Sequence, residues 1–494
     1  MEEFILTDDI FEQIKDFDHE NLTKKQILLI DKLILNKKLK IRYIKNGLCI
    51  GCKQPNTAYT SKFSSWCMSC NAKTFQQNFK NWTSGNHKID KFIQKVQLIA
   101  KNDRGVLEWI EYDRFENVEY LTKGGFGTIY KAIWKDGFIE SWDFENNKWI
   151  RFKYYCRQYE NFPVILKCLD NSQDITSDFI REIGTHVFFS KEDYGKISLT
   201  SRCFGITKDP ESKNFMMVMG YAKDGSLRQH LNNSFKTTKW FEKFDILKKI
   251  AKGLEVIHQK GLIHRDFHCG NILKDEDYTF ITDLGLSRPV NVKSSQNECK
   301  ELYGVLPYVA PEVLRGKEYT QESDIYGFGI IVYEVCTGLP PYHDIVHDKF
   351  LAISICQGLR PKSNYKIPQL ILNIIKQCWD ADPLKRPKAK KLSSLLHNLW
   401  EGSYYDDETE IKKQIEEVDK INEKLTSSSL LYNGPTLSYT TNPQAVYTSR
   451  LLDFKNLPKP KNAIDNKDDD NSFGEYSESI EAIDFTKLDL DKSN

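Results

Sequence analysis

The sequence predicts an α+β fold, and three observations lead to this prediction. A glycine turn separates two strand-like runs within residues 121–130, which is typical of a β-hairpin. Apolar runs typical of buried strands follow at residues 164–167 and 216–219. Helical spacing of apolar residues appears at 178–183, and another helix is expected to begin after Gly225. Strands and helices are therefore both expected in the middle of the chain.

Composition limits the class of protein. The chain has 494 residues, enough for about two to four domains, and its 40% apolar residues can build a core. With 70 basic and 69 acidic residues the net charge is +1, which argues against a whole-chain nucleic-acid binder. No basic leader follows Met1 and no apolar run is long enough to span a bilayer. We therefore expect a cytoplasmic protein with no membrane partner, whose 12 cysteines are reduced thiols.

The chain is predicted to have three regions. Residues 1–115 hold two cysteine pairs, residues 116–399 carry the motifs with possible chemistry, and residues 400–494 are charged. A short helix is expected at 404–426, and the rest of the last region has a low apolar density that predicts disorder. Residues 134–160 contain an Asp-Gly turn between aromatic residues and are interpreted as an inserted hairpin rather than a disordered insert.

Two short segments contain the residue types that phosphoryl transfer requires. Residues 264–271 read HRDFHCGN, and TDLG follows at 282–285. Phosphoryl transfer needs a hydroxyl held in line with a phosphate and cations that spread the charge. Asp266 can orient the hydroxyl, while Asn271 and Asp283 can hold Mg²⁺. The two segments resemble the catalytic loop and the metal loop of the eukaryotic protein kinases.

The resemblance covers residues 116–399 and is strongest to the tyrosine kinase-like group. Cys378 and Trp379 before Arg386 resemble this group and the tyrosine kinases, and parts of the group tolerate a residue such as His268 two positions after Asp266. It implies a two-lobe fold, with a small antiparallel β lobe and a larger α-helical lobe. A small N-terminal four-cysteine module and a disordered C-terminal tail would flank it. The resemblance also implies that Glu312 pairs with Arg386 in the larger lobe.

The resemblance implies how ATP is held. Lys167 would contact the α- and β-phosphates, and Glu182, fifteen residues later, would pair with it. A glycine turn is by itself more often a plain hairpin turn, and a lone Lys after a strand is usually a solvated end. Only the ordered set of motifs favours the nucleotide. The implied nucleotide-binding residues are Leu121, Gly124, Gly127, Ile129, Lys167, Met219 and Ala222.

Several positions depart from the family pattern. Thr122 replaces a glycine of the loop, Ile165 replaces the usual Ala over the adenine, and His268 replaces a Lys two residues after Asp266. The other departures are Gly220, Leu284 and Val305. The catalytic set of Asp266, Lys167 and Glu182 is nevertheless intact. The resemblance therefore implies a protein kinase in signal transduction that uses ATP and Mg²⁺ on Ser or Thr hydroxyls of protein substrates, with Tyr left open. The alternative is a pseudokinase that acts as a nucleotide-sensing scaffold.

Regulation by phosphorylation is a further implication of the resemblance. Arg265 directly precedes Asp266, and in the family such an Arg meets a phosphate on the activation segment. Candidate acceptors are Ser294, Ser295 and Tyr303, and an unregulated loop remains the alternative.

Four cysteines form a candidate zinc module at about 45–75. Cys49 and Cys52 are separated by two residues, as are Cys67 and Cys70, with fourteen residues between the pairs. Four thiolates at this spacing can close around one Zn²⁺, and four unrelated thiols are the alternative. Nearby Lys and aromatic residues give a weak case for nucleic-acid binding, and a solvated face is favoured instead. We expect Trp82 and residues 107–110 to dock the module on the small lobe and so brace or gate it. Nothing in the sequence sets the oligomeric state.

Overall fold

The computed structural model describes most of the chain in two compact units, Met1–Tyr221 and Ala222–Asn494. The boundary falls directly before Ala222, at the end of the segment 216–222, which the resemblance implies is the hinge. Gly125 and Phe126 of the glycine turn, and Ser294 and Ser295, lie outside the described residues. So does the acidic end of the tail, which the sequence predicts to be disordered. The described residues are 5–61, 64–124, 127–152, 162–169, 172–173, 175, 177–190, 200–284, 288–289, 302–405, 408–428, 437 and 439–463.

The first unit combines helices with a mostly antiparallel sheet. Its helices are α1 (Asp8–Ile14), α2 (Lys24–Leu33), α3 (Lys37–Asn46), α4 (Met68–Asn78), α5 (His87–Leu98) and α6 (Ser177–Ser190). Its strands are β1 (Ala58–Ser61), β2 (Ser64–Trp66), β3 (Glu108–Trp109), β4 (Phe115–Gly124), β5 (Gly127–Trp134), β6 (Phe138–Asp143), β7 (Lys148–Phe152), β8 (Phe162–Leu169), β9 (Cys203–Lys208) and β10 (Phe215–Gly220). Polar side chains cap the first turns of three helices. Thr23 forms a capping box on α2, and the side chains of Asn36 and Asn86 accept hydrogen bonds from backbone nitrogens in the first turns of α3 and α5.

A six-stranded sheet in the order β3-β9-β10-β8-β5-β4 is the core of this unit. All neighbours are antiparallel except β3, which adds to β9 in parallel. Successive side chains of β10 point to opposite faces, as a strand requires. Met217 and Met219 join one apolar cluster, and Met216 and Val218 join the other. Because both faces are covered, the strand is a continuous apolar run.

The N-terminal region has an apolar core of its own. Leu6, Ile14, Ile30, Ile34 and Tyr43 are all nearly inaccessible and pack α1, α2 and α3 together. The hydroxyl of Tyr43 donates to the carbonyl oxygen of Ile14 at 3.0 Å, so this buried polar group is satisfied. Strands β6 and β7 form a separate hairpin inside the predicted insert. Residues 153–161 of that insert lie outside the described part of the chain.

The second unit is mainly helical. Its helices are α7 (Leu227–Ser234), α8 (Trp240–Gln259), α9 (Pro311–Leu314), α10 (Gln321–Thr337), α11 (Lys349–Cys356), α12 (Gln369–Cys378), α13 (Ala389–Tyr404) and α14 (Glu410–Ser428). Its strands are the short β11 (Leu262–Ile263), β12 (Ile272–Asp275), β13 (Tyr278–Ile281), β14 (Arg288–Pro289), β15 (Leu302–Gly304) and β16 (Arg450–Leu452). Helix α10 is buried from Ser323 to Thr337, which explains why most of its residues are apolar, and its buried carboxylates Asp324 and Glu334 are hydrogen-bonded. A sheet-rich first unit and a helical second unit confirm the α+β prediction.

The last described segment, residues 439–463, follows a defined course along the second unit. It contributes β16, and Leu452 and Leu457 are 4% and 7% exposed. Low apolar density did not indicate this order, because a few buried side chains and backbone hydrogen bonds hold the segment, and composition reports neither. Within the described residues, no helix has the length and apolarity that crossing a bilayer requires.

Candidate active site and cysteine cluster

An ion pair lies in the first unit where the sequence predicts it. Lys167 Nζ lies 2.7 Å from Glu182 Oε1, and the two residues are only 8% and 5% exposed. Lys167 projects from the centre of β8, and Glu182 from α6. Removing one partner of a buried ion pair is strongly destabilising, because the remaining charge has been taken out of water.

The sheet register sets which residues lie beside Lys167. On β8, Lys167 is opposite Ile129 of β5 on one side and Met217 of β10 on the other. Ile165 is opposite Met219. Because alternate residues share a face of the sheet, Ile129 and Lys167 are neighbours across one pair of strands.

The glycine hairpin ends this part of the sheet. Gly124 pairs with Gly127 across β4 and β5, and Leu121 on β4 is half exposed. Hinge residues Met219 and Ala222 are buried, at 5% and 8% exposure. Met219 belongs to the first unit and Ala222 to the second.

In the second unit, Asp266 and Asn271 are joined directly. The side-chain nitrogen of Asn271 donates to the backbone oxygen of Asp266 at 2.9 Å and to its Oδ2 at 3.1 Å. Both side chains are buried. Because the amide nitrogen is engaged with Asp266, the amide oxygen of Asn271 is the atom left to face a cation.

A buried carboxylate accepts hydrogen bonds from the backbone of the loop that contains Asp266. Asp324, at the start of α10, accepts from the backbone nitrogens of His264 at 2.8 Å and Arg265 at 3.0 Å. Arg265 has a φ of +74°, a left-handed conformation that is strained for a residue with a side chain. Two charge-assisted hydrogen bonds from the backbone around this turn offset the strain.

Asp283 follows the β12–β13 hairpin, which returns the chain to the catalytic loop. The backbone nitrogen of Thr282 donates to the backbone carbonyl oxygen of Asn271 at 2.9 Å. Thr282 in turn presents its carbonyl 3.1 Å from His264 Nε2. Burial lowers the pKa of His264, so the ring stays neutral in this contact. The carboxylate of Asp283 and the amide oxygen of Asn271 are hard oxygen donors, and their chemistry fits Mg²⁺.

His268 is directed at Asp266, a contact that the sequence did not reveal. Its Nδ1 accepts from the backbone nitrogen of Gly270 at 3.1 Å, so the neutral ring carries its proton on Nε2. That Nε2 lies 3.5 Å from Asp266 Oδ2. This buried nitrogen makes no hydrogen bond with the described residues, and it lies near the carboxylate at the position where the family resemblance leads one to expect a Lys.

Two buried charged groups stabilise the second unit. Arg386 donates from two nitrogens to the two oxygens of Glu312, at 2.7 and 2.8 Å, as the resemblance implies. The second group was not predicted: Glu334 on α10 accepts from Arg228 Nε at 2.8 Å and from the hydroxyl of Tyr308. Arg228 and Tyr308 are far apart in sequence, so no local pattern could indicate this cluster.

The four module cysteines converge. Cys49 Sγ is 3.7 Å from Cys70 Sγ, and Cys52 Sγ is 3.5 Å from Cys67 Sγ. All four sulfurs lie within 4.8 Å of one another. Tetrahedral Zn–S bonds of about 2.3 Å would separate the sulfurs by about 3.8 Å, so the cluster has the size that zinc requires. Hydrogen bonding within the cluster lowers the pKa of Cys52 and of Cys67 and raises the pKa of Cys49 and of Cys70, so the four thiols share protons in the absence of a metal.

The inserted hairpin packs on this cluster. A Cβ at Gly51, between Cys49 and Cys52, would lie 2.3 Å from the ring of Phe144, so only glycine fits there. Trp149 of β7 stacks on Phe75 with ring centroids 4.5 Å apart. Arg151 of the same strand forms an ion pair with Glu108 of β3, in which Arg151 Nη2 lies 2.5 Å from Glu108 Oε2.

The N-terminal region also packs against α6, the helix that carries Glu182. Ile89, Ile93 and Val96 of α5 share one apolar cluster with Phe179, Ile183 and Val187 of α6. A Cβ at Gly184 of α6 would lie 3.9 Å from the ring of Phe92, which is ordinary van der Waals distance. Trp82 packs against the same cluster, and Leu107 belongs to it. The expected docking residues thus contact the cluster that includes α6, and β3 also joins the sheet through β9.

Comparison with known proteins identifies the family. The model of the family described as "Protein tyrosine and serine/threonine kinase" matches residues 115–396, more than half of the chain. The chain belongs to this family. The prediction of a eukaryotic protein kinase of the tyrosine kinase-like group, made from the motifs, is confirmed.

Several curated proteins are similar to this kinase-family chain. A protein kinase and PP2C-like domain-containing protein of Arabidopsis thaliana is 30% identical over 38% of this chain and 33% of its own length. The probable serine/threonine-protein kinase roco5 of Dictyostelium discoideum is 28% identical over 66% of this chain and 11% of its own length. A probable LIM domain-containing serine/threonine-protein kinase of the same organism is 26% identical over 64% of this chain and 47% of its own length. The chain thus spans less than half the length of each of these relatives.

Proposed function

We propose that this protein transfers the γ-phosphoryl group of MgATP to hydroxyl groups of protein substrates. The observation that carries the proposal is the buried ion pair between Lys167 and Glu182. A kinase that has lost its activity has no need to keep a positioned lysine and carboxylate buried, because such a pair seldom adds net stability. In active protein kinases the same pair positions the phosphates of ATP.

The proposed roles follow from the chemistry of each group. Asp266 orients the substrate hydroxyl and accepts its proton as the new bond to phosphorus forms. Asn271 and Asp283 would hold Mg²⁺, which when bound neutralises charge on the phosphates. Asn271 also keeps Asp266 in place through its amide nitrogen.

The flanks of the nucleotide are assigned to the sheet and the hinge. Met219 and Ala222 would border the adenine. The strand residues Leu121 and Ile129 would cover the rest of the nucleotide, together with Gly124 and Gly127 of the glycine turn.

We propose Ser and Thr as the acceptors and signal transduction inside the cell as the setting. Relatives named as probable serine/threonine-protein kinases support this choice of hydroxyl. The cell interior supplies ATP and Mg²⁺ and keeps thiols reduced. The ten cysteines in the described residues are free, which agrees with this setting.

The test is phosphate incorporation from γ-labelled MgATP into a generic protein substrate. Asp266→Ala should lower the rate about 10²- to 10⁴-fold, the range for loss of a positioned acid or base. Asp277→Ala is the matched control, because this Asp is exposed on the nearby β12–β13 turn, and its rate should equal that of the wild type. Phosphoamino-acid analysis of the product distinguishes Ser and Thr from Tyr.

A pseudokinase would give a different pattern. MgATP would raise the melting temperature of the wild type, yet no label would reach any substrate or the protein itself. That result would remove the proposed activity and leave nucleotide sensing.

We also propose that Cys49, Cys52, Cys67 and Cys70 bind one structural Zn²⁺. The support is the spacing of the four sulfurs, all within 4.8 Å of one another. Elemental analysis should find about one zinc per chain in the wild type and none after Cys49→Ser combined with Cys52→Ser. Cys168→Ser, at a buried cysteine outside the cluster, is the control and should retain the metal. Equal zinc in all three proteins would refute the site.

A further inference from the structure

The tail of this chain adds a strand beside the proposed catalytic aspartate. Strand β16 pairs antiparallel with β15, with Leu302 opposite Leu452, Tyr303 opposite Leu451, and Gly304 opposite Arg450. The two strands are joined only by tertiary structure, since some 150 residues of chain separate them in sequence, far more than any hairpin loop.

Strand β15 lies against Asp266. A Cβ at Gly304 would be 4.0 Å from Asp266 Oδ1 and 2.9 Å from the side chain of Val309. The hydroxyl of Tyr319 donates to the carbonyl of Tyr303 at 2.6 Å, and Arg265 lies over the Tyr319 ring at 5.0 Å. Gly304 of β15 therefore lies close to the carboxylate that must meet a substrate hydroxyl, and β16 covers an edge of this strand.

Backbone and side-chain contacts hold the tail on both sides of β16. On the N-terminal side, the backbone nitrogen of Val446 donates to His347 Nδ1 at 3.1 Å. Tyr447 donates to the carbonyl of Pro341 at 2.9 Å, and Arg228 lies over its ring at 4.3 Å. These anchors fix the direction in which the tail enters the strand pair.

On the C-terminal side, Arg315 Nε donates to the carbonyl of Leu457 at 3.1 Å. The backbone nitrogen of Lys461 donates to the carbonyl of Cys356 at 2.8 Å. Leu452 is the buried side chain of the strand itself, whereas Leu451 is 49% exposed. The segment is therefore a peptide with two buried apolar side chains, Leu452 and Leu457, docked by strand addition at β16.

We propose that residues 439–463 form an autoinhibitory strap, in which β16 occupies the β15 edge that an extended protein substrate needs in order to present its hydroxyl to Asp266. The inference rests on the proposed phosphoryl transfer. An exposed strand edge accepts any extended chain with suitable side chains, because the affinity comes from main-chain hydrogen bonds. The strap and the substrate would thus compete for the same row of backbone groups.

The tether makes this competition effective. A segment linked to its own docking edge acts at an effective concentration of about 1 mM, well above that of a typical free substrate. Opening the strap should therefore lower the KM for a protein substrate and leave the KM for ATP unchanged.

The test compares Leu452→Asp with Leu451→Asp in the full chain. Leu452→Asp places a carboxylate in a buried position, so the strand should detach. Leu451→Asp makes the same change at the next residue, on the solvent face, and should behave as the wild type. We expect the KM for a generic protein substrate to fall about tenfold for Leu452→Asp, with the KM for ATP changed less than about twofold.

A synthetic peptide of residues 439–463 is the second arm. Added to Leu452→Asp, it should raise the KM for the protein substrate again, and the same peptide carrying Asp in place of Leu452 should not. If Leu452→Asp does not fold by circular dichroism, Arg450→Ala replaces it, because this removes the anchor to the carbonyl of His347 without burying a charge. A smaller fall in KM, about threefold, is then expected.

The outcomes separate the strap from the kinase activity. If the wild type is active and Leu452→Asp or Arg450→Ala has the same KM, or only a lower kcat, the strap is overturned while the activity stands. If no protein transfers phosphate, the proposed function fails, and fluorescence anisotropy of a labelled 439–463 peptide on Leu452→Asp decides the strap. Saturable binding would support β15 as the docking site of this peptide, and the absence of binding would refute the proposed strap.

Discussion

The N-terminal region and the C-terminal strap are both additions to a kinase core, but they are held by different forces. Helix α5 contributes Ile89 and Ile93, both with no exposed surface, to the cluster it shares with α6. The strap of residues 439–463 buries two leucines, Leu452 and Leu457, and otherwise relies on β16 pairing and hydrogen bonds to loops. Burying one aliphatic side chain contributes about 1.5–3 kcal/mol, whereas a hydrogen bond contributes about 0.5–1.5 kcal/mol net, because water competes for it.

This difference predicts different behaviour. An interface made of interlocked buried side chains opens only when the fold itself opens, so the N-terminal region should act as a permanent brace for Glu182. A strand held by backbone hydrogen bonds can detach locally, at a cost well below that of global unfolding. The strap is therefore suited to regulation and the N-terminal region to structure.

The largest effect should come from Ile93→Ala in the brace. Removing a fully buried isoleucine leaves a cavity and should lower the free energy of unfolding by about 2–5 kcal/mol. Phosphoryl transfer should fall as well, because α6 carries Glu182. Ile99→Ala, at an exposed position just after α5, should change stability by less than about 0.5 kcal/mol. Urea unfolding measures both, and equal stabilities would show that α5 does not brace α6.

Trp149→Ala tests the contact between the inserted hairpin and the cysteine cluster. This half-buried ring stacks on Phe75 at 4.5 Å and on Trp66 at 6.4 Å, so its loss should destabilise the protein by about 2 kcal/mol. Ile150→Ala, at the next position of the same strand, should have a much smaller effect, since Ile150 is 39% exposed. Thermal unfolding distinguishes them, and a larger effect for Ile150→Ala would exclude this packing.

Tyr447→Ala should affect the strap alone. Losing one cation–π contact and one hydrogen bond should change global stability by about 1 kcal/mol or less. Amide hydrogen exchange at residues 302–304 and 450–452 should nevertheless become faster, because the strap opens more often. Tyr405→Ala, at a residue 72% exposed after α13, should leave this exchange unchanged. Unchanged exchange in Tyr447→Ala would show that the strap does not depend on this anchor.

The smallest effect should be a pH dependence of the strap through His347. Burial lowers the pKa of His347 below its usual 6.5, and Arg450 and Arg228 add to the shift. Its Nδ1 lies 3.1 Å from the backbone nitrogen of Val446, which donates to the neutral ring, and 3.0 Å from the carbonyl oxygen of Val446. Hydrogen bonds to the carbonyl groups of Val446 and Tyr342 raise the pKa of His347 and so oppose part of the shift that burial causes. The strap is thus fully stabilised above pH 6.5 and loses stability as the pH falls below that value, because the open state binds the proton more readily.

Exchange at residues 450–452 should therefore speed up from about pH 7.5 to 5.5 beyond the intrinsic pH effect. His347→Gln should remove this dependence, while His397→Gln, at an exposed residue on α13, should preserve it. A dependence that persists in His347→Gln would assign the titration to another group.

The two regions also differ in how far sequence could predict them. The spacing of the cysteines and the aromatic residues indicated a docked N-terminal module, because metal ligands and apolar anchors are visible as residue types. For the tail, composition predicted disorder, yet residues 439–463 are ordered. Backbone pairing to β15 leaves no mark on composition, since any extended residue can supply the N–H and C=O groups.

The same reasoning applies inside the kinase domain. Lys167, Glu182, Asp266, Asn271 and Asp283 could be named from motifs, because their chemistry requires those residue types in that order. The sequence by itself thus determined the family, the α+β class and the candidate reaction. The contacts of His268 with Asp266, of Glu334 with Arg228, of α5 with α6 and of β16 with β15 were decided only by the tertiary structure. No local spacing predicts these contacts, which join residues through space. The order of motifs can be read along the chain, whereas packing and strand pairing depend on which segments the fold brings together.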